Sequence, residues 1–569
     1  MNTDKIHIQQ LAEICAIKGI EHAVISPGSR CAPLIVAFNR QKNIRCHSII
    51  DERSAAFVAL GIAQQTKKPV ALICTSGSAI LNYAPALAEA FYQKIPLLVL
   101  SADRPNEWID QGENQSIQQF EVYKNYIKKS YQLPLQVNAE KDLWYSNRIV
   151  SEAINFCVFP DFGPVHINIP LREPLYQLTN TKNENPKVID FNTPHYKLEE
   201  KEITTLQKTW LKSKGILIVV GGFKSRDLSL EKVLQKISKQ SNVVVLTESV
   251  SNVYGKNFVN QIDSSIEIIT KEKNPTFIPE LVITLGAGVV SKKLKFWLRG
   301  IKHEHWHLSQ SSQHWDIFQS LSKVIQINET DFFSYFSNLE IKPDSIFKKN
   351  WLKLHKKTQE LLDNFLSKSE FNDFKVFDFL IKNIPTDSLL QLGNSTPVRY
   401  VNLLNIDTNK NVKINSNRGV SGIDGVLSTA AGASLTTKNP CICINGDIAS
   451  LYDSNAFLNF ELKSNFKVII INNGGGNIFK IIPGPDSLDE LEQFFETKHN
   501  IDFKNIALAY NLTYFSANNA ETLATEFKKF IAHNKQASIL EINTKNCSNS
   551  DSLRHYFDYL KDNISTDKL

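Results

Sequence analysis

No apolar run in this sequence approaches the roughly 20 residues that a membrane-spanning helix requires, which argues against membrane insertion. The opening residues, MNTDKIHIQQLAEICAIKG, read as a polar amphipathic helix and lack the apolar stretch of a secretory signal. Strong charge of either sign is also missing. A net charge of +6 over 569 residues inclines the chain mildly toward small anions and gives no basis for nucleic-acid binding. Cysteine is sparse, 8 in all, and Cys74, Cys441 and Cys443 sit inside apolar strands. That pattern suits reduced core thiols in a cytoplasm. Cys441 and Cys443 alternate along one strand with no second pair to complete a zinc site. There is no low-complexity tract, no short-period repeat and no histidine in an evident general-base setting.

What is present is a globular composition, 42% apolar and 21% charged, at a length that calls for several domains. Near the start, short apolar strands alternate with polar turns and helices. His22–Ile25 runs into Ser26-Pro27-Gly28-Ser29-Arg30, and Cys46–Ile50 runs into Asp51-Glu52-Arg53 and an alanine-rich helix to about Gln65. Val70–Cys74 precedes Thr75-Ser76-Gly77-Ser78, and Pro96–Leu100 precedes Ser101-Ala102-Asp103-Arg104-Pro105. Repetition of this kind predicts a doubly wound, mainly parallel α/β sheet with its polar turns along one edge. Val165–Pro170 closes this first domain, taken as 1–180, and a polar linker follows over Thr179–Lys201.

A second domain, taken as 200–345, opens on the strand and glycine turn Gly215–Gly222 and contains another strand, Leu281–Gly286. The glycine pair reads as a tight turn in preference to a nucleotide loop. His303, His305 and His307 would share one strand face without an acidic partner on it, so they read as structural. A charged helix, Ile346–Leu366, leads into a third domain, taken as 346–569.

The third domain carries the most informative stretch. Strand Cys441–Ile444 ends in Asn445-Gly446-Asp447. A helical segment bearing Leu451, Phe457, Leu458 and Leu462 follows, then strand Val468–Ile471 and Asn472-Asn473-Gly474-Gly475-Gly476. Such a βαβ unit puts Asp447 and Asn473 at the carboxyl ends of parallel strands, where open α/β sheets bind ligands. A carboxylate, an amide oxygen and a glycine-loop carbonyl are hard ligands that suit Mg²⁺ beside phosphate oxygens. Gly, Asp and Asn are also ordinary turn residues, so this stretch alone leaves both readings open.

Several further blocks narrow the choice: SPGSR (26–30), DERSA (51–55), TSGSA (75–79), ADRP (102–105), GENQSI (112–117), GNS (393–395) and SNRGVSGIDG (416–425). Together with GD and NNGGGNIF, and in this order, they resemble the 2-succinyl-5-enolpyruvyl-6-hydroxy-3-cyclohexene-1-carboxylate synthases, thiamine-diphosphate enzymes of menaquinone biosynthesis. The resemblance spans nearly the whole chain. It implies a three-domain fold with a pyrimidine-binding first domain, a central domain and a diphosphate-binding third domain. It also implies union of 2-oxoglutarate with isochorismate with loss of CO₂, so the substrates would be small dicarboxylates. The expected cofactors are thiamine diphosphate and Mg²⁺ or Mn²⁺, and the expected assembly is a homodimer or tetramer sharing its active sites between subunits.

By the same resemblance Glu52 is the catalytic carboxyl that activates the cofactor pyrimidine. Ser395, Ser421, Ile423, Gly446, Asp447, Asn473, Gly475 and Ile478 contact the cofactor, with Ile423 as the bulky residue beneath it. Asp447, Asn473 and Gly475 hold the metal. Ser29, Arg30, Arg104, Asn114, Gln115, Lys292, Ser395, Arg399, Arg418, Ile478 and Phe479 bind substrate, arginine being suited to planar carboxylates. Two departures from related patterns stand out. The motif reads Gly-Asp-Ile in place of Gly-Asp-Gly, and Asn-Asn-Gly-Gly-Gly in place of a triple-Asn form. The nearest rival is another carboligase or decarboxylase of the acetolactate-synthase kind, which would not need Arg30, Arg104 and Arg418 together. A non-catalytic cofactor-binding relative would have no use for Glu52.

Overall fold

The structure, a computed structural model, describes the chain except for residues 181–184, 312, 341–344, 483 and 566–569. Part of the expected 179–201 linker and the end of the expected second domain therefore lie outside the described residues. Three six-stranded sheets organise the chain, and every strand pair within them is parallel. In the first, the strands run side by side as Arg45–Ser48, His22–Ile25, Val70–Cys74, Leu97–Asp103, Val165–Pro170 and Ser130–Gln132. In the third, the order is Lys413–Ser416, Leu389–Leu392, Cys441–Gly446, Phe466–Asn472, Ser538–Asn543 and Thr513–Ala517. These two sheets share one winding. The middle sheet differs: Phe258–Val259, Val243–Thr247, Ile216–Val220, Leu281–Leu285, Glu304–Ser309, Leu321–Gln326. Central strands such as Val70–Cys74 and Ile216–Val220 are buried throughout, as helices on both faces require.

Two expectations need correction. The opening helix, Ile6–Ile17, is not amphipathic. His7, Gln9 and Gln10 are buried beside Ile8, Leu11 and Ile14, because the helix packs against both Ala32–Asn39 and Glu140–Val158. The helix expected across the crossover after Asp447 stops at Tyr452 and gives way to a 3₁₀ turn, Ser454–Leu458. Asp453 causes the break. Its buried carboxylate accepts hydrogen bonds from the Ser428 amide and hydroxyl, both at 2.7 Å, which draws the chain out of helical register.

The histidines of the middle sheet are held by hydroxyls. His305 Nε2 and His307 Nδ1 each lie 2.9 Å from Thr284 Oγ1, and His303 Nε2 lies 2.8 Å from Ser320 Oγ. The glycine turn has a packing reason, since a Cβ on Gly221 would sit 1.7 Å from the Ala287 carbonyl oxygen. No helix among the described residues is long and apolar enough to cross a membrane, and the 8 cysteines are free thiols.

The first and third sheets are locked together by two helices, Glu52–Thr66 and Val426–Ser434. Their backbones approach so closely that a Cβ on Gly61 would fall 2.0 Å from the Thr429 carbonyl oxygen, and one on Gly432 2.0 Å from that of Val58. A polar clasp adds to this contact. Glu461 lies 2.7 Å from Arg45 Nη2 and 2.9 Å from His47 Nδ1. The hydrogen bond with His47, then the Arg45 charge, holds the Glu461 carboxyl down at about 2. A depressed carboxyl stabilises the fold fully above its unfolded value of about 4.3 and loses that contribution as pH falls toward the folded value. Glu461→Gln is therefore expected to lower the unfolding temperature at pH 6 and to have roughly half that effect at pH 3. Thermal unfolding at both values checks this, and an equal shift at both would contradict it.

Candidate active site

The register of the third sheet brings Asp447 and the Asn473 loop to the same edge. Strand Cys441–Gly446 pairs with Phe466–Asn472 so that Gly446 lies opposite Ile471, and both strands end at one edge. Asp447, at the first turn of a short helix, is thus placed beside the glycine loop. Its Oδ2 accepts from the amides of Gly474 at 2.8 Å and Gly475 at 3.0 Å, and its Oδ1 accepts from Ile448 at 2.7 Å. Gly474 adopts a φ of +85° and Gly475 has no room for a side chain, since a Cβ would lie 2.6 Å from the Glu496 carbonyl oxygen. His499 Nε2 is 3.3 Å from Asp447 Oδ2. Burial raises the Asp447 carboxyl above its ordinary value, so the ionised form calls for a positive partner.

Asn473 completes this end. Its Nδ2 donates to Asp373 Oδ2 at 2.8 Å, while its Oδ1 is buried with no partner among the described residues. An orphaned amide oxygen beside an under-compensated carboxylate fits a hard divalent cation that takes its remaining ligands from diphosphate and water. Among the described residues no group of three or more His, Cys, Asp or Glu side chains could hold a metal. This oxygen set is the alternative the third domain offers.

Glu52 occupies the start of helix Glu52–Thr66, with Asp51 capping it through the Ser54 amide at 3.1 Å. It faces a cavity of about 240 Å³ lined by Gly28, Ser29, Thr75, Ser76 and Gln115, and among the described residues by nothing beyond the first domain. Gly77, between the lining residues Ser76 and Ser78, has a φ of +83° and its backbone is approached by Gln115. Burial raises the Glu52 carboxyl, and the neighbouring Asp51 charge adds to the effect. Asp51 Oδ2 accepts from Asn455 at 2.6 Å and Arg53 donates to the Tyr452 carbonyl at 2.8 Å. Within one chain, the start of the Glu52 helix therefore touches the far end of the short helix whose first residue is Asp447.

The expected substrate residues fall into two groups. In the first domain, Arg104 donates through Nε and Nη2 to the Asn114 carbonyl, at 3.2 and 2.8 Å. Arg30 is buried, donates to the Leu171 carbonyl at 3.0 Å and pairs with Glu173 at 3.1 Å. Asn114 and Gln115 are exposed, as is Ser29. In the third domain, Ser395 begins helix Thr396–Leu403 at a φ of +72° and receives a hydrogen bond on its carbonyl from Arg399. Arg418 donates to Asn394 Oδ1 at 2.9 Å. Its loop is held by buried Glu89, which accepts from the Gly419 and Val420 amides at 2.6 and 2.7 Å. Ser421, at a φ of +65°, and half-buried Ile423 follow on this loop, and Ile478 and Phe479 lie on the 3₁₀ turn after the glycines.

Of the lysines opening helix Lys292–Arg299, Lys292 is exposed and Lys293 pairs outward with Glu267. Lys295, not singled out by the sequence, is half-buried near Glu248 and Arg418. Its signal was the three-residue spacing from Lys292, which puts both on one helix face. Glu248 was missed too. Buried and raised to about 7, it accepts from the Val290 amide at 2.7 Å and the Ser291 amide at 2.7 Å, fixing the loop that leads to these lysines.

Comparison with known proteins agrees with both half-sites. Residues 8–122 match the family described as "Thiamine pyrophosphate enzyme, N-terminal TPP binding domain", and residues 400–542 match its C-terminal counterpart. The fold is thus that of a thiamine-diphosphate enzyme. Proteins named 2-succinyl-5-enolpyruvyl-6-hydroxy-3-cyclohexene-1-carboxylate synthase align along almost their full length. That of Flavobacterium johnsoniae is 41% identical over 96% of this chain and 98% of its own. That of Porphyromonas gingivalis is 36% identical over 98% of each, and that of Bacteroides thetaiotaomicron 33% identical over 99% and 100%. The chain belongs to this synthase family.

Asp447→Ala removes the carboxylate that accepts from the Gly474 and Gly475 amides. It should weaken Mg²⁺-dependent thiamine-diphosphate binding by more than the roughly 10–100-fold typical of changes one shell further out. Titration calorimetry with and without Mg²⁺ measures this, and wild-type affinity in the variant would overturn the assignment.

Proposed function

We propose that this chain joins 2-oxoglutarate to isochorismate with loss of CO₂, giving 2-succinyl-5-enolpyruvyl-6-hydroxy-3-cyclohexene-1-carboxylate for menaquinone biosynthesis. The observation that carries the substrate class is the pair Arg399 and Arg418. Burial draws both guanidinium groups below their usual basicity, and for Arg399 the charge of Arg418 adds to the effect. Their hydrogen bonds go to neutral acceptors, the Ser395 carbonyl and the Asn394 amide oxygen. Asp263 near Arg399, and Glu248 and Glu89 near Arg418, offset these charges in part, and a dicarboxylate supplies a planar dianion that suits both guanidinium groups.

Thiamine diphosphate, when bound, supplies the electron sink for decarboxylation. The chain's residues do the rest. Asp447, Asn473 and the Gly475 carbonyl hold Mg²⁺ or Mn²⁺ on the diphosphate. Glu52 keeps a proton on its carboxyl oxygen for the pyrimidine ring, which its half-buried position favours. Ile423 supports the cofactor from below, while Ile478 and Phe479 exclude water. Arg104 and Arg30 add cationic character from the first domain. Among the described residues the Glu52 cavity draws no lining from the third domain of its own chain, which supports a homodimer, or a tetramer of such pairs, whose sites combine Glu52 of one chain with Asp447 of another. The setting proposed is the cytoplasm.

The test is turnover with 2-oxoglutarate, isochorismate, thiamine diphosphate and Mg²⁺, with pyruvate as the competing donor. Formation of the succinyl adduct with 2-oxoglutarate is expected, and preferential use of pyruvate would contradict the reading. Arg104→Ala and Arg418→Ala should each lose about 2–5 kcal/mol of carboxylate recognition, a fall in kcat/KM of a few tens-fold or more. Wild-type kinetics in either variant would remove that residue from the site.

A further inference from the structure

Asp373 is a buried carboxylate far from the glycine loop in sequence, yet its side chain ends on it. It opens helix Asp373–Asn383, capped by Asn372, and is 1% exposed. Oδ2 accepts from Asn473 Nδ2 at 2.8 Å and Oδ1 accepts from Thr544 Oγ1 at 2.6 Å. The frame around it is equally fixed. The Asp373 amide donates to Asn549 Oδ1 at 2.9 Å, Asn549 Nδ2 donates to the Thr544 carbonyl at 2.9 Å, and the Thr544 amide donates to the Asn472 carbonyl at 2.9 Å. These bonds tie the helix to the ends of the two strands that flank the loop.

An ionised carboxylate accepts and cannot donate. It therefore selects one of the two orientations of the Asn473 amide, with the NH₂ toward Asp373 and the oxygen turned away. That oxygen is the buried acceptor with no partner among the described residues. Asp373 also lies close enough to Asp447 for their charges to interact, so both carboxylates raise the attraction of the site for a cation. We propose that Asp373 is a positioning residue for the divalent metal: it aims the Asn473 oxygen at the ion and adds a second negative charge behind it. The proposal rests on the reading that Asp447 and Asn473 hold a metal on the cofactor diphosphate.

The experiment follows Mn²⁺ binding by electron paramagnetic resonance in the presence of thiamine diphosphate, alongside thermal unfolding of the apo protein. Asp373→Asn is nearly isosteric, removes the negative charge and can turn its NH₂ toward Asn473, so the fixed preference for one orientation of the Asn473 amide is lost. Mn²⁺ affinity should fall about 10–100-fold, the range for outer-shell ligands. Adding Asn473→Asp restores a donor-to-carboxylate bond with a free oxygen on the metal side, and affinity should return to within a few-fold of wild type. Thr544→Val, which only frees one Asp373 oxygen, should give a smaller loss. Wild-type Mn²⁺ affinity in Asp373→Asn, or a double variant no tighter than the single one, would overturn the proposal, including when apo stability falls. If Asp447→Ala also binds Mn²⁺ like wild type, the underlying metal reading fails with it. If Asp447→Ala loses binding while Asp373→Asn keeps it, only the role of Asp373 falls.

Discussion

The hydrogen bonds from the Gly474 and Gly475 amides to the Asp447 carboxylate are the constraint on which the third domain depends. They exist because two parallel strands stop in register, with Gly446 opposite Ile471, and because only glycine fits the loop that follows. The arrangement leaves a desolvated carboxylate facing an amide oxygen that nothing among the described residues satisfies.

The first domain repeats the same winding for a different purpose. Its strand ends carry Glu52, the glycine turns at Gly28 and Gly77, and Arg104, and it is fastened to the third sheet by helices that meet backbone to backbone at Gly61 and Gly432. That contact fixes the spacing of the two half-sites. Glu89 extends it by gripping the Gly419 and Val420 amides, so a first-domain carboxylate sets the loop that presents Arg418. The middle sheet contributes through Glu248, which pins the approach to Lys292 and Lys295. The cores of the three sheets run into one another, the third sheet packing with both the middle and the first.

Much of this was legible in the sequence. His22–Ile25, Val70–Cys74 and Val165–Pro170 were expected as strands and are strands over those residues, because fully buried parallel strands are short apolar runs bounded by turn residues. The family was legible because its turn motifs lie in order along the chain. The helix after Asp447 was overestimated, since the pull of Ser428 on Asp453 is a tertiary effect that local periodicity does not carry. The opening helix looked amphipathic because its polar residues are buried by neighbours distant in sequence. Asp373, Glu248 and Glu89 were invisible for the same reason: each acts on backbone or amide groups of a segment far away, and nothing in its local sequence marks it.

The arrangement of the halves is tested most directly by mixing two inactive variants. Glu52→Gln and Asp447→Ala chains, unfolded and refolded together or co-expressed, should form heterodimers as about half of all dimers. If each site joins two chains, one site of every heterodimer carries both lesions and the other carries neither, so roughly a quarter of all sites should be intact and activity should return to about that fraction. A mixture that stays as inactive as its components, with heterodimers shown to be present, would mean that each site is built within a single chain.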